Sequence, residues 1–177
     1  MRKVKGFTLV EVVVTMVVAA ILVSLAIPAF TTVIKNNRLA TATNALVGAI
    51  GLARSEAIRR NARVTLCKSS DGASCTTAGN WSDGWIVFID RNSNAAVDTG
   101  EDVLRVSEPV NTDIDAVGNS NVDDYISFVS TGQPQLTSGG FQAGTIKICD
   151  DRAGDFGRNL VLNLTGRLRL EKEVSCP

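Results

Sequence analysis

Gly6-Phe7-Thr8-Leu9-Val10-Glu11 opens an apolar run that continues almost unbroken to Ala26-Ile27-Pro28. From Phe7 to Ile34 the only ionisable side chain is Glu11. About 20 apolar residues suffice to span a bilayer, so 7–34 reads as a membrane-length helix. A carboxylate at the centre of such a helix costs about 3 kcal/mol or more. Glu11 is therefore a functional position that calls for a cationic partner. Residues 1–6 form a basic leader carrying Arg2, Lys3 and Lys5, which holds that end in the cytoplasm. A secretory signal places its small-residue cleavage site after the apolar region. Here Gly6 stands before it, and a cut between Gly6 and Phe7 leaves the helix on the mature chain.

Beyond Pro28 the helical period persists. Leu39, Ala42, Leu46, Ile50, Ala53 and Ala57 recur at three- and four-residue spacing and form one apolar stripe. The spacing predicts a helix from Thr8 to Arg60, with 35–61 as an amphipathic half. Pro28 lacks a backbone donor and favours a kink. From Ala62 the period becomes two. Strands are expected at Val64–Lys68, Gly84–Asp90, Asp102–Ser107, Tyr125–Ser130, Thr145–Asp150, Asn159–Asn163 and Arg167–Glu173. Val110–Asp124 reads as an irregular polar linker. The expectation is an α+β fold, a long helix packed on an antiparallel β-sheet head over 62–177.

The chain has 18 basic and 18 acidic side chains and no His. Three of the basic residues sit in the leader, so its removal leaves 15 against 18. Nucleic-acid binding would then need a local basic patch, since bulk charge does not supply it. Four cysteines suit disulfides in an exported domain. Of the three connectivities, Cys67–Cys75, closing a local loop, and Cys149–Cys176, pinning the C-terminus, are preferred. A tetrathiolate zinc site is the rival, and the sequence lacks its paired C-x-x-C knuckles.

Lys5-Gly6-Phe7-Thr8-Leu9-Val10-Glu11, with Pro28 in the apolar helix, resembles the class III signal of type IV pilins and type II secretion pseudopilins. That resemblance implies cleavage after Gly6 by a prepilin peptidase, N-methylation of Phe7, and pairing of Glu11 with the N-terminal amine of a neighbouring subunit. Leu52-Ala53-Arg54-Ser55-Glu56-Ala57-Ile58 with Arg60-Asn61-Ala62-Arg63-Val64-Thr65-Leu66-Cys67 is similar to the helix-to-strand passage of the GspH/FimT group. Trp85–Asp90, Asn92, Asn94, Gly100–Arg105 and Thr165-Gly166-Arg167-Leu168-Arg169 fit it too. The resemblance implies a type IV pilin-like fold and a minor pilin near a filament tip. Its head would sit in the periplasm before assembly and on the surface pilus after it. The implied partners are major and minor pilins, the prepilin peptidase, the inner membrane and double-stranded DNA. The alternative is a minor pseudopilin of a type II secretion system, contacting secreted protein.

Three local features could add to assembly. In Asp90–Glu101, oxygen-bearing side chains stand at loop positions 1, 3, 5, 9 and 12 (Asp90, Asn92, Asn94, Asp98, Glu101), the spacing of a calcium loop. Position 6 is Ala95, where the motif wants Gly, and the flanks read as strands. A structural hairpin loop is therefore preferred over calcium. In Arg167-Leu168-Arg169-Leu170, alternation puts both arginines on one face and both leucines on the core side. Paired guanidinium groups grip phosphate oxygens, and Lys147, Arg152, Arg158 and Lys172 are candidates to join them. In FimT-like proteins the Gly-Arg-x-Arg pattern, here Gly166, Arg167 and Arg169, goes with DNA capture during natural transformation. A solvated edge strand protected by its charges is an equal reading, and Glu171 on the same face opposes the patch. Trp81 and Trp85 could stack bases only if exposed, and such residues are more often core.

No enzyme constellation is present. Without His there is no Ser-His-Asp or Cys-His arrangement. Asp123-Asp124 and Asp150-Asp151 read as solvated turns.

Overall fold

The computed structural model describes residues 6–110, 113–119 and 121–177, the side chains of 25–29 excepted. The chain divides into two compact units, Met1–Asn37 and Arg38–Pro177. One helix, α1 (Leu9–Arg60), contributes to both. Its start is capped: Thr8 Oγ1 accepts the Glu11 N–H at 3.3 Å, and Glu11 lies in the first turn, where the helix dipole favours an anion. Farther along, Thr15 and Ser24 donate their hydroxyls to Val12 O and Ile21 O, each at 2.8 Å. Their polar groups are thus satisfied within the helix, and the surface around them is apolar. Among the described residues no helix is long and apolar enough to cross a membrane. The span expected over 7–34 runs through residues 25–29, whose side chains lie outside the described residues.

In the second unit the helix buries Leu39, Ala42, Leu46, Ile50, Ala53 and Ala57, the stripe read from the sequence, together with Ala49 and Thr43. Thr43 spends its hydroxyl on Leu39 O at 2.6 Å. The helix stops at Asn61, which takes a left-handed φ of 51°. Asn61 N–H then bonds Ile58 O and Ala62 N–H bonds Ala57 O, a cap that satisfies the last carbonyls.

Among the described residues eight strands follow: β1 Val64–Lys68, β2 Trp85–Ile89, β3 Val103–Ser107, β4 Ile114–Gly118, β5 Tyr125–Phe128, β6 Gly144–Asp150, β7 Gly154–Leu162 and β8 Leu168–Cys176. They form two four-stranded antiparallel sheets, ordered β3-β2-β1-β5 and β4-β6-β7-β8. Val64, Leu66 and Val87 of the first sheet share one core with Ile146, Ile148 and Leu160 of the second and with the helix stripe. Trp81 and Trp85 lie in that core at 0% and 2% exposure, which removes both from base stacking. Trp81 Nε1 donates to Val122 O at 3.0 Å.

The sequence reading differs from the fold in three places. Within the expected linker 110–124, Ile114–Gly118 is a strand whose Ile114 and Ala116 are buried. Its apolar pattern of two is short and interleaved with Asp115, so composition hid it. Strands β7 and β8 are longer than expected, because bulges at Gly154/Gly157 and Gly157/Arg158 let the ladder continue past irregular residues. Leu170 is 38% exposed: β8 is the outer strand of its sheet, and of its two leucines Leu168 is the one packed against the core. Cys67 is bonded to Cys75 and Cys149 to Cys176. The first disulfide belongs to a smaller apolar cluster on the other face of the first sheet, where Cys75, Val97 and Tyr125 cover Cys67, Ile86 and Phe88.

Candidate functional site

The β7–β8 connection carries the Gly-Arg-x-Arg residues. Asn163 Oδ1 accepts from Thr165 N (3.0 Å), Thr165 Oγ1 (2.8 Å) and Arg167 N (2.9 Å). Gly166 N–H bonds Asn163 O, and Asn163 N–H bonds Arg167 O. This is a three-residue hairpin loop closed by a left-handed glycine: Gly166 has φ 77°. A Cβ at Gly166 would stand 2.6 Å from Gly132 O and 3.3 Å from Arg54 Nε. Gly166 is buried, so its part in the motif is to shape the turn. The side chain that fixes the turn to the helix is Arg54, which donates to Gly166 O at 2.9 Å and Thr165 O at 3.2 Å. Sequence reasoning missed Arg54; its only signal was one cation beside the apolar stripe.

Beyond this turn Arg167 and Arg169 are both exposed and project from one face, about 7 Å apart along the strand. With Val161, Asn163 and Leu168 they line a shallow cleft of 390 Å³. Directly opposed residues in an antiparallel pair share a face, so the register decides which cations can join. Lys147 pairs with Asn159, and Asn159 with Glu171. Lys147 therefore lies on the face of Arg169. Arg158 pairs with Ile148 and with Lys172. That puts Arg158 and Lys172 on the face of the core residues Ile148 and Leu160, so they do not join the arginine pair. Arg152 is held by Asp150, Nη2 to Oδ2 at 2.6 Å, and covers the Phe156 ring at 4.2 Å. The cationic set is thus Arg167, Arg169 and Lys147. Glu171 sits among them and bonds Arg169 at 2.6 Å. Strand β8, which carries Arg169 and follows Arg167, is also a sheet edge, and Glu173 bulges it with φ 59°, so the protected-edge geometry is present on the same strand.

The loop Asp90–Glu101 uses its oxygens differently. Asp90 is fully buried and accepts from Thr65 Oγ1 (2.8 Å), Asn94 N and Ala95 N (3.1 Å each). Asp98 accepts the amides of Asn92 (2.8 Å) and Asn94 (2.7 Å), which hold its carboxyl below the usual range. Glu101 accepts from Arg91 N and Asp98 N. Ala95, at the position where the calcium motif has Gly, adopts φ 58°. Among the described residues no group of three or more acidic, His or Cys side chains could hold a metal ion. Val97 packs this loop over the smaller cluster.

Two further charged residues organise the head. Lys68, 2% exposed, donates to Gly79 O (3.0 Å) and Thr77 O (3.3 Å) and pairs with Asp124 (3.0 Å). Asp123-Asp124 lies in the solvated turn expected of it, and its Asp124 also supplies the counter-charge. Arg63 bonds Ser127 Oγ and Gln135 O, both at 3.0 Å. At the surface, Arg59 and Arg60 hold Glu56 down to about 2. Hydrogen bonds from Ser74, Ala73 and Ser69 hold Asp71 below the carboxylate range.

Comparison with known proteins agrees with this architecture. The model of the family "Type II transport protein GspH" matches residues 42–166, and the prokaryotic N-terminal methylation motif matches residues 1–27. The pilin-like protein PilA1 of Thermus thermophilus is 35% identical over 100 residues, 55% of this chain and 56% of its own. The chain thus spans about half the length of that curated relative. The crystal structure of the type IV minor pilin FimU of Pseudomonas aeruginosa superposes with a TM-score of 0.59 at 22% identity, covering 81% of this chain and 95% of that one. A second crystal form gives 0.56, with 78% and 97% covered. At that identity the likeness establishes the fold. The family match ends at Gly166, one residue before the arginine pair.

Proposed function

The chain belongs to the GspH family of minor type IV pilins and pseudopilins, and on that premise we propose that it is a minor pilin whose head captures DNA through the β7–β8 hairpin. Its action is association rather than catalysis. A prepilin peptidase cuts between Gly6 and Phe7 and methylates Phe7. The apolar helix waits in the inner membrane and then enters a filament core, with Glu11 pairing the amine of a neighbour. The head, displayed near the tip, meets DNA with Arg167, Arg169 and Lys147.

The observation that supports DNA capture is the pair of exposed guanidinium groups on one face of a turn clamped by Arg54. Arginine on a rigid turn can grip phosphate oxygens with little ordering cost. Among the described residues no aromatic side chain lines the cleft, so the grip would be on the phosphate backbone and independent of sequence. A mobility-shift assay with the full chain in detergent micelles tests this. Wild type should retard duplex DNA at low salt, and the Arg167→Ala/Arg169→Ala double variant should not. Absence of a shift with wild type at low salt would sink DNA capture. Mass spectrometry of the mature chain checks processing, which requires a methylated Phe7 at the N-terminus.

The second reading is a minor pseudopilin of type II secretion, the system after which the matched family is described. Deletion separates the two. Loss of DNA uptake or pili supports the pilin; loss of secretion with pili intact supports the pseudopilin.

A further inference from the structure

The two arginines of the hairpin are not equivalent. Arg167 has no side-chain hydrogen bond or ion pair among the described residues; its one side-chain contact in the turn is through its backbone N–H. Arg169 is engaged, its Nη2 standing 2.6 Å from Glu171 Oε1. Glu171 is in turn held from the other side, its Oε2 accepting Asn159 Nδ2 at 3.2 Å. Asn159 spends its amide hydrogens this way although its own buried Oδ1 is left without a donor. The register explains the meeting: Asn159 and Glu171 are directly opposed across β7 and β8, and Arg169 is two residues from Glu171 on the same face.

We infer that Glu171 is a built-in competitor for the phosphate that Arg169 would otherwise bind. Arg167 takes a phosphate freely, while Arg169 does so only by releasing Glu171. The inference rests on the phosphate-binding reading of the hairpin. Arg169 and Glu171 are 70% and 36% exposed, and an ion pair so open to water is weak enough for a polyanion to displace. It is strong enough, with Asn159 holding the carboxylate in place, to lower the occupancy of Arg169 by DNA. Glu171 thus acts through Arg169 as a positioning residue and makes the grip easier to release.

The salt dependence of binding reads this directly, because each phosphate neutralised adds about 0.9 to the slope of log affinity against log salt. The experiment is a fluorescence-anisotropy titration of labelled duplex DNA with the full chain in detergent micelles, over a salt series. Glu171→Gln should bind about two- to fivefold tighter at low salt, the range that an exposed ion pair allows, with a slope steeper by up to about 0.9. In an Arg169→Ala background the same change should leave the slope where it was. Glu173→Gln, which removes the same charge from a residue outside this ion pair, should also leave the slope unchanged. A wild-type slope in Glu171→Gln would overturn the inference. So would a steeper slope that persists without Arg169, since bulk charge would then explain the gain. If wild type binds and Arg167→Ala weakens it while Glu171→Gln behaves as wild type, only the competitor fails. If neither wild type nor Glu171→Gln binds DNA at any salt, the phosphate reading fails with it.

Discussion

The loop Asp90–Glu101 and the hairpin turn Asn163–Arg169 both carry charged groups at regular spacing, yet they spend them in opposite ways. In the loop, Asp90, Asp98 and Glu101 each accept at least two hydrogen bonds from the loop or from Thr65. Their charges close a turn and hold Val97 over a small apolar cluster. In the hairpin the polar work of the turn falls to Asn163, Gly166 and Arg54. Arg167 is left over. The comparison teaches that spacing nominates a site, while hydrogen-bond accounting decides whether its charges are still available.

The loop should be the more fragile under substitution. Asp90→Ala removes a buried acceptor of three hydrogen bonds and leaves Ala95 N–H without its partner, and should cost about 3 kcal/mol. Trp81 and Trp85 are the only tryptophans and both are buried in the head, so their fluorescence in a urea titration follows its unfolding. A cost under about 1 kcal/mol, within the ordinary net value of one hydrogen bond, would mean that the loop is not held from Asp90. Next comes Gly166→Ala, which combines a left-handed backbone with a clash against Gly132 O and should cost about 2 kcal/mol. The same titration checks it, and DNA binding should fall with it, because Arg167 loses its platform. Arg54→Ala should be milder, about 1–2 kcal/mol for two bonds from a charged donor. Its sharper consequence is on the hairpin: amide exchange at Gly166 and Arg167 should speed up while β1 stays protected.

Acid gives a smaller contrast. Asp98 is held below its ordinary value of 3.8 by the Asn92 and Asn94 amides. A depressed carboxylate lends stability that is fully present above its unfolded pKa and is lost as pH falls through the folded one. The loop should therefore loosen below about pH 4, with Glu56 losing its hold on the helix end between 4.5 and about 2. Exchange of loop amides measured down that range should rise before exchange in the turn does; simultaneous loosening would erase the contrast.

Much of the scaffold was legible in the sequence. The helix stripe from Leu39 to Ala57, most of the strands and the arginine pair's shared face all follow from period alone. Strand β4 was not legible, because five residues with Asp115 among them carry too little pattern. The division of the cations was not legible either. Lys147 joins the pair while Arg158 and Lys172 turn to the other face, and only the inter-strand register fixes that. The structural roles of Lys68, Arg54 and Arg63 were not legible in the sequence. Their roles depend on carbonyls and carboxylates as far as 112 residues away in the chain.

Arg167 is proposed as a free phosphate ligand on a turn clamped by Arg54. The most direct measurement is the salt dependence of DNA binding by the full chain, wild type against Arg167→Ala, with urea midpoints in hand. Arg167→Ala should leave the midpoint unchanged and make the slope shallower by about 0.9, one phosphate contact. Equal slopes for the two proteins would contradict it.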